Sequence, residues 1–305
     1  MASKADKQTP HLKFFWWNLE RVPMPRALRA VIRSKTAIFG IFFVSLALLA
    51  AVMAPWLAPH DPYRQDTSQR LKPPVWVEGG LAGHVLGTDQ LGRDVLSRMM
   101  YGARISLIVA GVTVLIAVFL GVGVGLAAGF YGGWIDAMLM GATNFFLSFP
   151  YVLLAIALMG IIGPGFSTLI LVLGLTSWPI YTRIIRSEVL SVKELEFVEA
   201  ARALGVREVV ILLKHITPNV LNSVMVTASL EIARMIINEA FFSFLGLGVQ
   251  PPIPSWGNML FDGKAYIFVN SWLITLPGVA IFLTTLGLNL IGDWLRDILD
   301  PHMVF

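Results

Sequence analysis

The chain has 305 residues, of which 56% are hydrophobic and 14% charged, with a mean hydropathy of +0.72. That balance lies outside the range of soluble domains and points to a membrane protein. The formal net charge of +4 does not point to nucleic acid, because the basic residues cluster beside apolar runs, and the absence of cysteine excludes disulfides, thiol catalysis and thiolate metal sites.

Residues 1–35 carry eight Lys or Arg against two acids. Within them Phe14-Phe15-Trp16-Trp17, beside Lys13 and Arg21, reads as an interfacial helix lying on the inner leaflet. An uncharged run of 23 residues, 36–58, follows. It exceeds the roughly 20 residues that cross a hydrocarbon core, and it begins too late and runs too long for a cleaved secretory signal. The loop 59–103 contains Pro59, Pro62, Pro73, Pro74 and Gly79-Gly80, which favour irregular structure. Near its end Val95, Leu96, Met99 and Met100 share one helical face, while Asp94 and Arg98 stand four apart and can pair. A short amphipathic helix on the outer surface is expected there.

Uncharged runs of 31 residues (105–135), 46 residues (137–182) and 28 residues (265–292) come next. The longest reads as two spans split at Gly163-Pro164-Gly165. A further span, 220–246, opens after Pro218-Asn219 and is apolar apart from Glu231, Arg234 and Glu239. The reading is an all-α polytopic membrane protein with six transmembrane helices. Residues 36–58 are the first span, and 104–292 are a five-helix core interrupted by a loop, 184–218. A tail, 293–305, ends the chain. Fifteen Lys and Arg fall in the segments on the side of the N-terminus against six or seven opposite, so both termini and the loop 184–218 are expected in the cytoplasm.

The spans carry their own signals. Gly121, Gly125, Gly129 and Gly133 recur every four residues, a small stripe that lets helix backbones touch. Pro150, Pro179 and Pro277 predict kinks. A charge at the bilayer centre costs at least ~2.5–3.5 kcal/mol, so Glu231, Arg234 and Glu239 should face protein or water. Glu231 and Arg234 are three apart and can pair, and Glu239 lies roughly two turns beyond Glu231, near the same face. A water-filled translocation path lined by mixed charge and an internal salt bridge without a cargo role both fit these residues.

Between Arg183 and Lys214 lies a charged island with six Lys or Arg and five Glu. It breaks into two short helical stretches around Gly205, a residue free to end a helix. Ala200 and Ala201 permit close approach, Glu199 offers one charge to a basic partner, and Phe197, Val198 and Ala201 can form an apolar patch. On the residues alone, a docking surface and a solvated hairpin stand level.

The order Glu199-Ala200-Ala201, Gly205, Pro218 resembles the cytoplasmic EAA loop of bacterial ABC importer permeases. Three further segments, LGTDQLGRDVLSRMMYGARISL, FFSFLGLGVQPPIPSWGNML and LNLIGDWLRDILDP, resemble the dipeptide and oligopeptide branch of that family. The resemblance runs from about residue 37 to 301 and is nearest to the second, C-type permease subunit. His215 and Thr217 stand where many such loops carry Ile and Leu, while Pro218 keeps its register.

The resemblance implies a type I ABC importer permease fold in the bacterial inner membrane. It implies that Glu199, Ala200, Ala201, Gly205 and Pro218 form the coupling surface for a separate ATPase. The chain would be half of a pore for di- or oligopeptides, or for another small solute such as glutathione or a nickel complex. The implied partners are a second permease, two ATPase subunits or domains, an extracytoplasmic binding protein and lipid. No cofactor is expected on this chain; ATP and Mg would be used by the ATPases. The sequence has no GxxxxGK[ST], GxSxG or HExxH motif, so an enzyme is not expected. An ion-coupled secondary transporter using Glu231 or Glu239 is the remaining alternative, and it would have no use for an EAA loop.

Overall fold

The computed structural model describes residues 34–299. The interfacial helix expected at residues 14–17, and the end of the tail from 300 on, lie outside the described residues. The helices are α1 (Lys35–Leu57), α2 (Val95–Tyr131), α3 (Gly133–Leu147), α4 (Tyr151–Ile162), α5 (Phe166–Val192), α6 (Glu196–Ala203), α7 (Thr217–Phe244), α8 (Trp256–Gly263) and α9 (Trp272–Leu299). Among the described residues there is no strand, only an isolated bridge between Thr88 and Asp94.

Five helical stretches are long and apolar enough to cross a membrane: α1, α2, α5, Glu208–Phe244 and α9. The pair α3 and α4 becomes a sixth when counted as one span bent by 84°. Neither half suffices alone; the 12 residues of α4 extend only ~18 Å, against a core of ~30 Å. The long uncharged run therefore divides at two places. One is Pro150, which draws Phe149 out of helical geometry. The other is Gly163 to Gly165, where Gly163 adopts φ 99°.

The amphipathic stretch before the second span is no separate element. It is the opening of α2, a single helix of 37 residues capped by Asp94, whose carboxylate accepts from Ser97 N. The cap removes Asp94 from the expected pair with Arg98. Instead Arg98 lies 3.4 Å from Asp89 and 3.6 Å from Asp262. Arg93 joins the same two acids at 2.6 and 3.0 Å. This network, buried except for the partly exposed Asp262, ties the loop before α2 to α8.

Helix α2 packs most extensively on α5. Its buried face is made of small residues, among them Ala110, Thr113, Ala117, Gly121, Gly125 and Ala128. A Cβ on Gly125 would stand 2.9 Å from Ile185 Cβ, and one on Gly129 would stand 2.8 Å from Val189 Cβ. Gly121 meets Tyr181 and Trp178 in the same way. Backbones so close gain dispersion contacts that a lipid solvent cannot supply through the hydrophobic effect. Gly133 departs from the stripe. It follows Gly132 at the α2–α3 corner with φ 55°, and nothing lies within 4 Å of its missing Cβ. Its place is a turn, not a seam. On the other flank α1 packs on α9, where Gly40 and Gly287 lie backbone to backbone.

Candidate functional site

Two features of this scaffold carry the candidate chemistry: the hairpin between α5 and α7, and a pair of clefts along α5 and α7. Helix α6 ends in a turn at Gly205, where φ is 74° and the space beyond is open. Gly205 N donates to Arg202 O at 2.9 Å and Val206 N to Ala201 O at 3.1 Å, the paired bonds of a helix stop that needs a left-handed residue. The chain then makes one turn, Glu208–Val210, and a π-helical stretch, Ile211–Ile216, before entering α7. Pro218 explains the π turn. It has no N–H to give the carbonyl of Lys214, and its ring crowds that carbonyl. Thr217 N and Oγ1 both bond Leu212 O instead.

Val198 and Ala201 are buried, not part of an exposed patch as the sequence pattern suggested. With Ile211, Ile216 and Val220 they pack on Phe130, Ile185, Val189 and Val192 of α2 and α5. The period of an amphipathic helix puts Val198 and Ala201 on one face and Ala200 on another. The exposed large apolar residues of the hairpin are Leu195, Phe197, Leu204, Val209 and Leu213, with Leu204 83% exposed. Glu199, Ala200, Gly205 and Pro218 are also exposed. Arg202 pairs with Glu208 at 3.3 Å and lies 5.9 Å over the Phe130 ring.

Since the π turn runs straight into α7, the second arm of the hairpin and the membrane helix are one body. Pro218 stands 13 residues before Glu231, about 20 Å along the axis. At that level Glu231 Oε1 accepts from Arg234 Nη1 at 2.9 Å. Both residues line two clefts. One, of about 320 Å³, is bounded by Phe146, Tyr151, Ser177 and Asn238. The other, of about 680 Å³, reaches toward the hairpin past Glu188, Ser223 and Arg296. The ion pair thus stands at the partition between them.

Glu239 is elsewhere. It is fully buried and accepts from Ser106 Oγ at 2.7 Å and Ser243 Oγ at 2.8 Å. Ser106 Oγ in turn accepts from Trp256 N, and Ser243 Oγ from Val249 N, each at 3.3 Å. Glu239 lines neither cleft beside Glu231. Eight residues at 100° each leave it about 80° around the helix from Glu231, enough to turn it from the clefts to the α2 and α8 side.

Sequence pattern alone does not single out the polar residues that complete the clefts. Asn238 Nδ2 donates to Tyr151 Oη at 3.2 Å, and Ser223 Oγ donates to Glu188 Oε1 at 2.9 Å. The available signal was spacing, because Asn238 is one turn past Arg234 on the same face.

A family model described as binding-protein-dependent transport system inner membrane component matches residues 121–305, and one described as the N-terminal TM domain of oligopeptide transport permease C matches residues 23–74. The chain is 38% identical to the di/tripeptide transport system permease protein of Pseudomonas aeruginosa, over 92% of this chain and 93% of that one. It is 42% identical to the dipeptide transport system permease protein of Escherichia coli, over 89% and 90%. It is 38% identical to the glutathione transport system permease protein of Pectobacterium atrosepticum, over 93% and 92%. In fold it is similar to a chain of the inward-facing MetNI methionine ABC transporter, with TM-score 0.53, covering 64% of this chain and 93% of that one at 20% identity. This chain is a polytopic, all-α ABC importer permease belonging to the family of binding-protein-dependent transport system inner membrane components.

Proposed function

We propose that this chain is one half of the translocation pore of an ATP-driven importer of di- or oligopeptides. A second permease would complete the pore, and two ATPase subunits or domains would dock on the α6 hairpin. A binding protein outside the membrane would deliver cargo. In this reading both termini lie in the cytoplasm, Glu199, Ala200, Ala201, Gly205 and Pro218 meet the ATPase, and Glu231 and Arg234 border the path. Cofactor chemistry, with ATP and Mg, belongs to the ATPases.

The observation that carries the proposal is the continuity of the hairpin with α7. An exposed apolar rim on a polar hairpin is a surface made for a partner. A helix that begins at this rim and reaches the Glu231–Arg234 pair about two-thirds of a bilayer away can convert docking strain into a change at the clefts. Cargo follows by analogy from the relatives named as dipeptide and di/tripeptide permeases. A pair of opposite charges at the partition suits a zwitterion, whose ammonium and carboxylate each find a partner.

The test is reconstitution of the chain with its co-encoded permease, ATPases and binding protein in proteoliposomes. ATP-dependent uptake of labelled dipeptide is expected. Uptake of glutathione or a nickel complex with none of dipeptide would reassign the cargo. Uptake that continues without ATPase subunits would overturn the coupling reading.

A further inference from the structure

Three side chains converge where the loop after α1 folds back on the head of α2. His60 lies three residues past the end of α1, His84 sits in mid-loop, and Asp94 is the N-cap of α2. Asp94 Oδ2 accepts from Ser97 N and Ser97 Oγ, both at 2.7 Å. That leaves Oδ1 as the free edge of a carboxylate that is itself almost wholly buried. The two imidazole rings stack with centroids 4.4 Å apart and 26° between planes. Both aim Nδ1 at the same oxygen, His84 from 2.9 Å and His60 from 3.8 Å.

This arrangement is poor as a hydrogen-bond cluster. Oδ1 serves one imidazole, and His60 Nδ1 is left buried with no hydrogen-bond partner among the described residues. On the far side of His84, Nε2 lies 3.0 Å from Gln69 Oε1. With its proton on Nε2, donating to that carbonyl, the neutral ring turns the Nδ1 lone pair toward the Asp94 carboxylate. Two electron-rich atoms at 2.9 Å repel unless a second proton or a metal ion lies between them. A histidine that donates its outer N–H to a carbonyl while its inner nitrogen faces other donors has the outer-shell pattern of a metal ligand.

We propose that His60 Nδ1, His84 Nδ1 and Asp94 Oδ1 form a binding site for a divalent transition metal of the zinc class. One ligand atom from each residue lies within 4.8 Å of the others. Zinc bonds of ~2.0–2.2 Å put tetrahedral ligand atoms about 3.3–3.5 Å apart, so side-chain shifts of under about an ångström close the site. Two imidazoles and one carboxylate suit zinc better than magnesium or calcium, which prefer oxygen donors. The fourth position opens on a cleft of about 170 Å³ lined also by Asp61, Arg64 and Asp66. Asp61, Arg64 and Asp66 share its mouth, and Ser68 donates twice to Asp66. The ion ties three points spread over residues 60–94: the exit from α1, the middle of the loop and the N-cap of α2. It rigidifies the loop next to the Arg93–Asp262 link to α8, on the face that the charge bias puts outside.

The test uses the full chain purified with its partner permease and without a polyhistidine tag. Equilibrium dialysis against Zn²⁺ should give one tightly held ion per chain, and X-ray absorption should show two imidazole nitrogens. His60→Ala and His84→Ala should each weaken binding by more than ~100-fold, and Gln69→Leu, which leaves all three ligands, by about 10–100-fold. Replacing His11, His215 and His302 together with Ala should leave the ion in place. Zn²⁺ should raise the melting temperature of the wild type and not that of His60→Ala. His60 is the most exposed of the three, so its loss spares the fold. Absence of the ion from the wild type, its retention in both His60→Ala and His84→Ala, or its loss from the triple variant would each overturn the site.

Discussion

Glu231 and Arg234 form an ion pair of 2.9 Å in which one partner is buried and the other reaches open space. Glu231 Oε2 has no hydrogen-bond partner among the described residues, whereas most of the Arg234 side chain is accessible. The pair is therefore lopsided. Arg234 is free to swing away from the contact, but Glu231 cannot follow it. Under the proposed function, a cargo ammonium entering either cleft takes the place of Arg234 at Glu231, and a cargo carboxylate pairs with the freed guanidinium.

The first prediction concerns that asymmetry. Arg234→Leu strands the buried carboxylate and should lower complex yield or transport more than Glu231→Gln, which leaves a guanidinium that is already half exposed. The loss from Arg234→Leu should equal about 1–3 kcal/mol, less than the ~3–5 kcal/mol of breaking a fully buried pair. The double variant should recover part of it, with a coupling energy above ~0.5 kcal/mol in a double-mutant cycle on complex yield. Strict additivity would show that the two charges act alone.

Glu239 gives the second prediction. Its two hydroxyl donors are already committed, because each Ser oxygen also accepts a backbone N–H from the segment that leads to α8. Glu239→Ala removes the hub and leaves the two hydroxyl protons without their acceptor, at about 1–3 kcal/mol each. The expected result is a lower melting temperature and poor recovery of the assembled complex. Glu239→Gln keeps one acceptor and should cost less than half as much. Cargo affinity of whatever complex survives should be unchanged, measured as substrate concentration at half-maximal uptake. A shift in cargo preference without loss of stability would return Glu239 to the translocation path.

The difference between these acids shows what the sequence could and could not disclose. Three ionisable residues in one apolar run mark a helix with polar neighbours, and spacing of three found the Glu231–Arg234 pair. Spacing could not say what would face Glu239, since Ser106 lies 133 residues away on α2. The same limit hid Asp262 as the partner of Arg98, while the nearer Asp94 was already claimed as a helix cap. Local rules served well where the backbone alone decides: the helix stop at Gly205, the break at Pro150 and the small face of α2. They misled at Gly133, where a four-residue period ran on past the end of its helix. The paired Gly132 and Gly133, both at positive φ, were the available warning.

The third prediction tests the seam. Gly125→Leu must place a side chain where Ile185 Cβ would be 2.9 Å from its first atom. Overpacking of this kind costs typically ~1–3 kcal/mol. Here the backbone on the other side is a helix that cannot move without dragging the hairpin core at Val189 and Val192. Loss of folded protein in detergent, read by a fluorescence melting curve, is expected for Gly125→Leu and Gly129→Leu. Gly141→Leu, where nothing lies within 4 Å, should melt with the wild type. Equal melting of Gly125→Leu and Gly141→Leu would remove the seam as a packing device.

The last prediction joins orientation to coupling. Cysteine can be introduced without background, since the chain has none. Gln65 and Phe268 are exposed in the loops before α2 and before α9, and Glu194 is exposed just before α6. With the N-terminus inside, Gln65→Cys and Phe268→Cys react with an impermeant thiol reagent added to intact cells, and Glu194→Cys reacts only after lysis. Labelling of Glu194→Cys from outside would reverse the orientation and with it the docking surface. Given the expected orientation, Glu199→Lys should leave the chain in the membrane and abolish co-purification of the ATPase, because a basic partner is then repelled. Gly205 separates surface chemistry from backbone geometry. The residue stands in open space at φ 74°, so Gly205→Asn, which tolerates that conformation, should retain docking. Gly205→Val, which pays ~1–2 kcal/mol or more for it, should unwind the helix stop and lose uptake. Equal uptake in the Asn and Val variants would show that the turn does not need its left-handed residue. Wild-type ATPase recovery with Glu199→Lys would move the coupling surface off α6.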